Sequence, residues 1–160
     1  TFKKAFQVSC VPCYQEIARK VGVKRMKAYL KKLNYPGMDF DTLTIDNFWL
    51  QGKSKISQMQ QIDFLEHLYD SKLPISKRTK NIMKNIMLIE KTESYSLSGK
   101  TGWGMRNDID NGWFVGYLET NNSVYFFATN VEMKNATMDE FPAIRLNSTK
   151  EAFRKLKIIE

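Results

Sequence analysis

The chain has 160 residues, 42% hydrophobic and 12% aromatic, which suffices for one globular domain with its own core. Lys and Arg total 25 against 17 Asp and Glu, giving a net charge of +8. The basic residues are scattered, and their one dense stretch, Lys24, Arg25, Lys27, Lys31 and Lys32, alternates with Met26, Leu30 and Leu33. That pattern is the wet face of a helix and argues against a nucleic-acid partner. No stretch is apolar and long enough to cross a membrane, and the first residues lack the order of a signal peptide. The chain opens at Thr1 inside an amphipathic element, as a fragment of a longer protein would.

Helices come first. Tyr14, Ile17, Ala18 and Val21 recur at helical spacing, and Gly22 can end that helix. Val23, Met26, Leu30 and Leu33 form a second stripe, which stops before Pro36-Gly37. Ser57-x-x-Gln60 reads as a capping box ahead of Ile62, Leu65 and Tyr69. Ser76 opens another helix, with Ile82, Met83, Ile86 and Met87 facing inward.

After residue 93 the period changes. Tyr95–Lys100, Gly112–Thr120 and Ser123–Val131 read as strands, with a tight-hairpin signal at Asn121-Asn122. Ser148-x-x-Glu151 reads as the cap of a closing helix whose inner face is Ala152, Phe153 and Leu156. The expectation is an α+β domain, helical over about 9–92, with an antiparallel sheet and closing helix over about 93–160. A single domain, with its N-terminal part lying outside these residues, is expected.

Two short motifs carry chemistry. Lys100-Thr101-Gly102 on an edge strand sets an ammonium, a hydroxyl and bare backbone side by side, suited to an anionic acyl substrate beside a serine nucleophile. Ser9-Cys10-Val11-Pro12-Cys13 has several readings. It is a Cys-x-x-Cys redox pair, a Ser-x-Val motif at a helix start, or a plain cap with two buried thiols. A thioredoxin-like fold needs a strand and a βαβ unit nearby, which the helical pattern here does not offer.

The chain as a whole, from about Ala5 to Ile159, resembles the C-terminal part of class D (oxacillinase-type) serine β-lactamases, within the penicillin-binding and transpeptidase-like superfamily. The resemblance rests on motifs in the family's order. They are Ser9-x-Val11 followed by Tyr14-Gln15-Glu16, and Phe48-Trp49-Leu50 with Ile56-Ser57. Lys100-Thr101-Gly102, Gly112-Trp113-Phe114-Val115-Gly116 and Arg145, placed just before the closing helix, follow. Tyr35-Pro36-Gly37 stands where the family has Tyr-Gly-Asn. The family's Ser-x-x-Lys, which supplies the nucleophile and the base, belongs upstream of Ser9. Thr1-Phe2-Lys3 is taken as a chance likeness to it.

What the resemblance implies is a serine acyl-enzyme mechanism acting on β-lactams. Ser9 would pass a proton toward the departing lactam nitrogen. Lys100 would supply positive potential, and the Trp103 backbone N–H would donate to the oxyanion. Thr101 and Arg145 would hold the substrate carboxylate, with Arg145 facing a wet cleft, and Gly102 would let the substrate lie against the strand. Trp49, Val11 and Leu50 would surround a carboxylated lysine from the absent part. No metal or separate cofactor is implied. The partners are β-lactam antibiotics and the missing N-terminal portion, and the location is periplasmic or secreted. Alone, the chain is expected to be inactive. The alternative is a β-lactam sensor domain, against which the apolar Val11 counts, since sensors tend to carry a polar residue there. On this reading Cys10 and Cys13 form no disulfide, one lying near the site and the other packed inward.

Overall fold

The computed structural model describes residues 1–160, apart from the side chain of Arg106. The chain forms two compact units, residues 1–82 and 83–160. The elements run α1 (Phe2–Gln7), α2 (Val11–Val21), α3 (Val23–Lys32), α4 (Gln58–Tyr69), α5 (Lys77–Met87), β1 (Leu88–Lys91), β2 (Tyr95–Arg106), β3 (Ile109–Thr120), β4 (Val124–Lys134) and α6 (Phe141–Lys155). The arrangement is α+β, as expected from the sequence.

In the first unit α2 ends at Gly22, whose φ of 75° reverses the chain into α3. Ala18, Phe40 and Ile45 are buried there, with Val23, Met26 and Leu30 packed against them, so Ala18 of the first predicted stripe shares a core with most of the second, while Ile17 is exposed. The Ser57 capping box forms as read: its hydroxyl accepts from the Gln60 N–H, and the Gln60 side chain accepts from the Ser57 N–H. Ser76 caps α5 through the Thr79 N–H.

The second unit is a four-stranded antiparallel meander in the order β1-β2-β3-β4. The sequence reading had three strands. It left Leu88–Lys91 within the helical region of about 9–92, although this short edge strand pairs with Ser96–Ser98. It also closed the β2–β3 hairpin too early. Both strands continue to a two-residue turn, Asn107-Asp108, whose φ values of 50° and 58° are those of a hairpin turn that short polar residues adopt. Asn121-Asn122 does lie in the β3–β4 turn, held by the Thr120 N–H donating to the Ser123 carbonyl. Leu97, Phe114, Leu118, Phe127 and Phe153 form the core between the sheet and α6.

The closing helix begins earlier than expected. Thr137 accepts from the Glu140 N–H, Pro142 sits in the first turn, and the helix is formed from Phe141. Ser148 is therefore mid-helix, and the neighbouring Thr149 hydroxyl donates to the Arg145 carbonyl four residues back. The inward face is Phe141, Arg145, Thr149 and Phe153, one residue per turn, while Leu156 is exposed.

Gly99 and Gly116 stand opposite each other in the β2–β3 register. A Cβ at Gly116 would meet the Ser98 carbonyl oxygen at 2.0 Å. Gly116→Ala should therefore force the strands apart and cost about 1–3 kcal/mol, the usual penalty of overpacking. Urea unfolding of the full-length protein measures it, and an unchanged midpoint would show that the strand pair can absorb a methyl group.

Candidate active site

Lys100, Thr101, Gly102 and Trp103 follow one another on β2, opposite Val115, Phe114, Trp113 and Gly112 of β3. On its other side β2 is paired only as far as Ser98. Beyond Ser98 no further strand pairs there among the described residues, so the motif lies on an open edge, as the sequence suggested. Strand alternation puts Thr101 and Trp103 on the face toward α6, and Lys100 and Gly102 on the other. The ring of Trp103 lies 5.0 Å from that of Phe141.

Arg145 departs from expectation. It lies inside α6, in the second turn, and is only 5% exposed. The closing helix starts four residues before it, because Thr137 and Pro142 set the helix start upstream. Its Nη1 donates to the Gly102 carbonyl, and its guanidinium carbon sits 5.5 Å from the Phe141 ring centroid and 6.0 Å from that of Trp103. Gly112 makes room for it: a Cβ there would meet the Arg145 Cδ at 2.6 Å. The Nε has no hydrogen-bond acceptor among the described residues. Burial pulls the Arg145 pKa below its ordinary value.

Lys100 is half-buried and donates to the Thr101 carbonyl at 2.9 Å. Burial, with a smaller push from the Arg145 charge, lowers its pKa to about 8. A Cβ at Gly102 would touch only the Trp113 Cβ, at the ordinary distance of 3.5 Å. The fold therefore does not require glycine there.

Asp110 was not picked out in the sequence. Its buried carboxylate accepts from the Trp103 indole N–H at 2.7 Å and from the Ala136 N–H at 3.0 Å. It ties the β2–β3 hairpin to the segment leading into α6. Only the long hairpin register brings Trp103 and Asp110 together, and no local spacing signals it.

The remaining predicted residues lie in the first unit. Ser9 is exposed, with φ of 53°, in the turn between α1 and α2, and Val11 opens α2. Trp49 and Leu50 lie in the 41–50 turn segment, where Trp49 packs edge-on against Phe48 at 5.2 Å. Trp49 is 37% exposed and stands outside the Ala18–Phe40–Ile45 core. One expectation is overturned outright: Cys10 and Cys13 are joined in a disulfide. They are the N-cap and third residue of α2, and one helical turn sets their Cα atoms 5.3 Å apart, within bridging range.

An open edge bearing Lys-Thr-Gly, backed by an arginine from a closing helix, is the arrangement of a transpeptidase-like domain. The chain belongs to the penicillin-binding protein transpeptidase domain family, which residues 1–155 match. Its relatives in that family are class D β-lactamases. It is 40% identical over 155 residues to β-lactamase OXA-48 of Klebsiella pneumoniae, covering 97% of this chain and 57% of the relative. It is 41% identical over 138 residues to OXA-10 of Pseudomonas aeruginosa, covering 84% and 52%. The crystal structure of the class D β-lactamase YbXI from Nostoc matches with a TM-score of 0.90 at 43% identity, covering 97% of this chain and 64% of that one. The chain thus spans somewhat more than half the length of these curated relatives.

The lowered Lys100 pKa has a sign. Below about pH 8 Lys100 is charged in both the folded and unfolded states, and burying that charge opposes folding. Between about pH 8 and 10.5 the folded protein releases its proton first, so the penalty fades as pH rises. Lys100→Met should raise the melting temperature of the full-length protein at pH 7 and lose that advantage by pH 10.5. A constant difference across the range would show that Lys100 keeps an ordinary pKa.

Proposed function

We propose that the whole protein is a β-lactam hydrolase of the class D type, working through a serine acyl-enzyme. The observation that carries this reading is the open β2 edge, where the fold leaves Gly102 bare and anchors its carbonyl on Arg145. The names of the relatives support it. In this reading the nucleophilic serine and its lysine base lie outside these 160 residues, where a carboxylated lysine would supply the proton acceptor.

The residues present would then do the following. The substrate lies along the β2 edge, and the missing Cβ of Gly102 lets it approach the backbone. Its carboxylate would meet the Thr101 hydroxyl and the Arg145 guanidinium, whose planar fork suits a carboxylate. The Trp103 backbone N–H donates to the oxyanion. Lys100 adds positive potential, which weakens as it loses its proton near pH 8. Family resemblance would give Ser9, able to donate and accept, the proton transfer to the lactam nitrogen, and would give Val11, Leu50 and the exposed Trp49 the cover of the base. We place the protein outside the cytoplasm, in keeping with the Cys10–Cys13 disulfide.

Residues 1–160 alone should neither hydrolyse nitrocefin nor gain mass from a penicillin. A stoichiometric adduct on Ser9, or on any other serine of the chain, would overturn this assignment. In the full-length protein, Gly102→Ala should leave the urea midpoint nearly unchanged, because a methyl group fits. It should still lower kcat/KM by roughly ten- to a hundredfold, the cost of about 1.4–2.7 kcal/mol of lost transition-state contact. Equal activity at equal stability would remove the substrate from this edge.

Arg145→Ala should lower kcat/KM by roughly ten- to a thousandfold, the scale of a lost charge-assisted hydrogen bond. Because Arg145 is buried, it should also lower the melting temperature. Arg145→Lys should recover only part of both, since a point charge cannot reproduce the fork. Normal kcat/KM in Arg145→Ala would sink the carboxylate role. Acylation by penicillin without turnover in the wild type would favour a sensor.

A further inference from the structure

We propose that Cys10 and Cys13 form a redox-modifiable site whose oxidised form positions the Ser9–Val11 segment. Its effect on activity rests on the hydrolase reading above. Cys10 is the N-cap of α2 and Cys13 is the third helical residue. These are the two positions that Ser57 and Gln60 join by reciprocal hydrogen bonds at the start of α4. Helix α2 has no such exchange. Cys10 makes no side-chain cap hydrogen bond, and Pro12 has no N–H to be capped. The Sγ–Sγ bond ties the same pair covalently and takes the place of the capping box.

The segment beside this tie needs holding. Ser9 sits at φ of 53°, a conformation that a serine keeps only where its surroundings over-determine it. On its N-terminal side the Ser9 N–H donates to the Phe6 carbonyl at 3.2 Å and the Cys10 N–H to the Ala5 carbonyl at 2.9 Å. On its C-terminal side the tie is the Tyr14 N–H to the Cys10 carbonyl at 3.1 Å, together with the disulfide that closes the same turn. Val11 lies within the disulfide loop and Ser9 immediately outside it, so the bond constrains Val11 directly and Ser9 through the Cys10 backbone. Both cysteines are half-buried, within reach of a small dithiol.

The chemistry balances by thiol–disulfide exchange with a dithiol. One thiolate of the dithiol attacks a cysteine sulfur, the Cys10–Cys13 bond breaks, and a mixed disulfide forms. The second thiol of the dithiol then displaces the other cysteine, leaving a cyclic disulfide and two cysteine thiols. Two electrons and two protons pass to the protein. A helix N-terminus stabilises a cysteine thiolate and so favours the reduced form, and the reverse reaction runs by the same two exchanges when oxidised dithiol is in excess.

The test equilibrates the full-length protein in oxidised and reduced dithiothreitol mixtures and reads three quantities. Maleimide labelling with mass mapping should find no free thiol at Cys10 and Cys13 when oxidised and two when reduced. Exchange of the hydrogen-bonded amides of Cys10 and Tyr14 should quicken on reduction by roughly two- to thirtyfold, the weight of a lost helix cap. Nitrocefin kcat should fall with it while KM changes little, and reoxidation should restore both. The double variant Cys10→Ala/Cys13→Ala should show the reduced values and ignore the dithiol. Two thiols already free in the oxidised mixture, or exchange and kcat indifferent to full reduction, would overturn the proposal. If nitrocefin is not turned over in either state, the hydrolase reading fails. The exchange rates then decide this proposal alone, faster exchange supporting it and unchanged exchange sinking it.

Discussion

The second unit depends on one buried cation. The Arg145 guanidinium reaches from α6 to the carbonyl of Gly102 and lies against the rings of Trp103 and Phe141. Removing a guanidinium from water is expensive unless its donors are met and its flat faces are covered. The structure meets part of that cost with a strand carbonyl and two aromatic rings. It requires glycine at position 112, where a Cβ would collide with the arginine stem. The same contact fixes the register between the closing helix and the strand that carries Lys100, Thr101 and Gly102.

Electrostatics follow from that placement. A second cation, Lys100, stands on the adjoining stretch of β2, desolvated and repelled by the first. Two like charges near one open edge raise the local potential for an anionic group and lower the affinity of the lysine for its own proton. The Asp110 carboxylate does not neutralise them directly. It holds the Trp103 indole and the Ala136 backbone, and so stiffens the wall on which the arginine lies.

In the first unit local devices carry the geometry. A covalent link closes the first turn of α2, a hydrogen-bonded capping box closes that of α4, and Gly22 reverses the chain between α2 and α3. Between α3 and α4 a long turn segment leaves Trp49 partly in solvent although its neighbour Phe48 stacks on the buried Phe40 at 4.5 Å.

What the sequence by itself determined is what short-range physics encodes. Apolar spacing set α2, α3, α4 and α5, the Ser57-x-x-Gln60 pattern set where α4 begins, and the order of motifs identified the family. The tertiary structure decided what depends on partners distant in sequence. Leu88–Lys91 became a strand because the edge of β2 was there to pair with it. The Ser148-x-x-Glu151 pattern failed as a cap because α6 was already running and the Thr149 hydroxyl could bond within it. The sequence places Arg145 just before the closing helix and facing a wet cleft. Only the collapse of α6 onto β2 and β3 buries it against the Gly102 carbonyl. The Lys100 pKa and the Asp110 tie have the same origin, since desolvation and hydrogen bonding across a hairpin exist only once the strands have met.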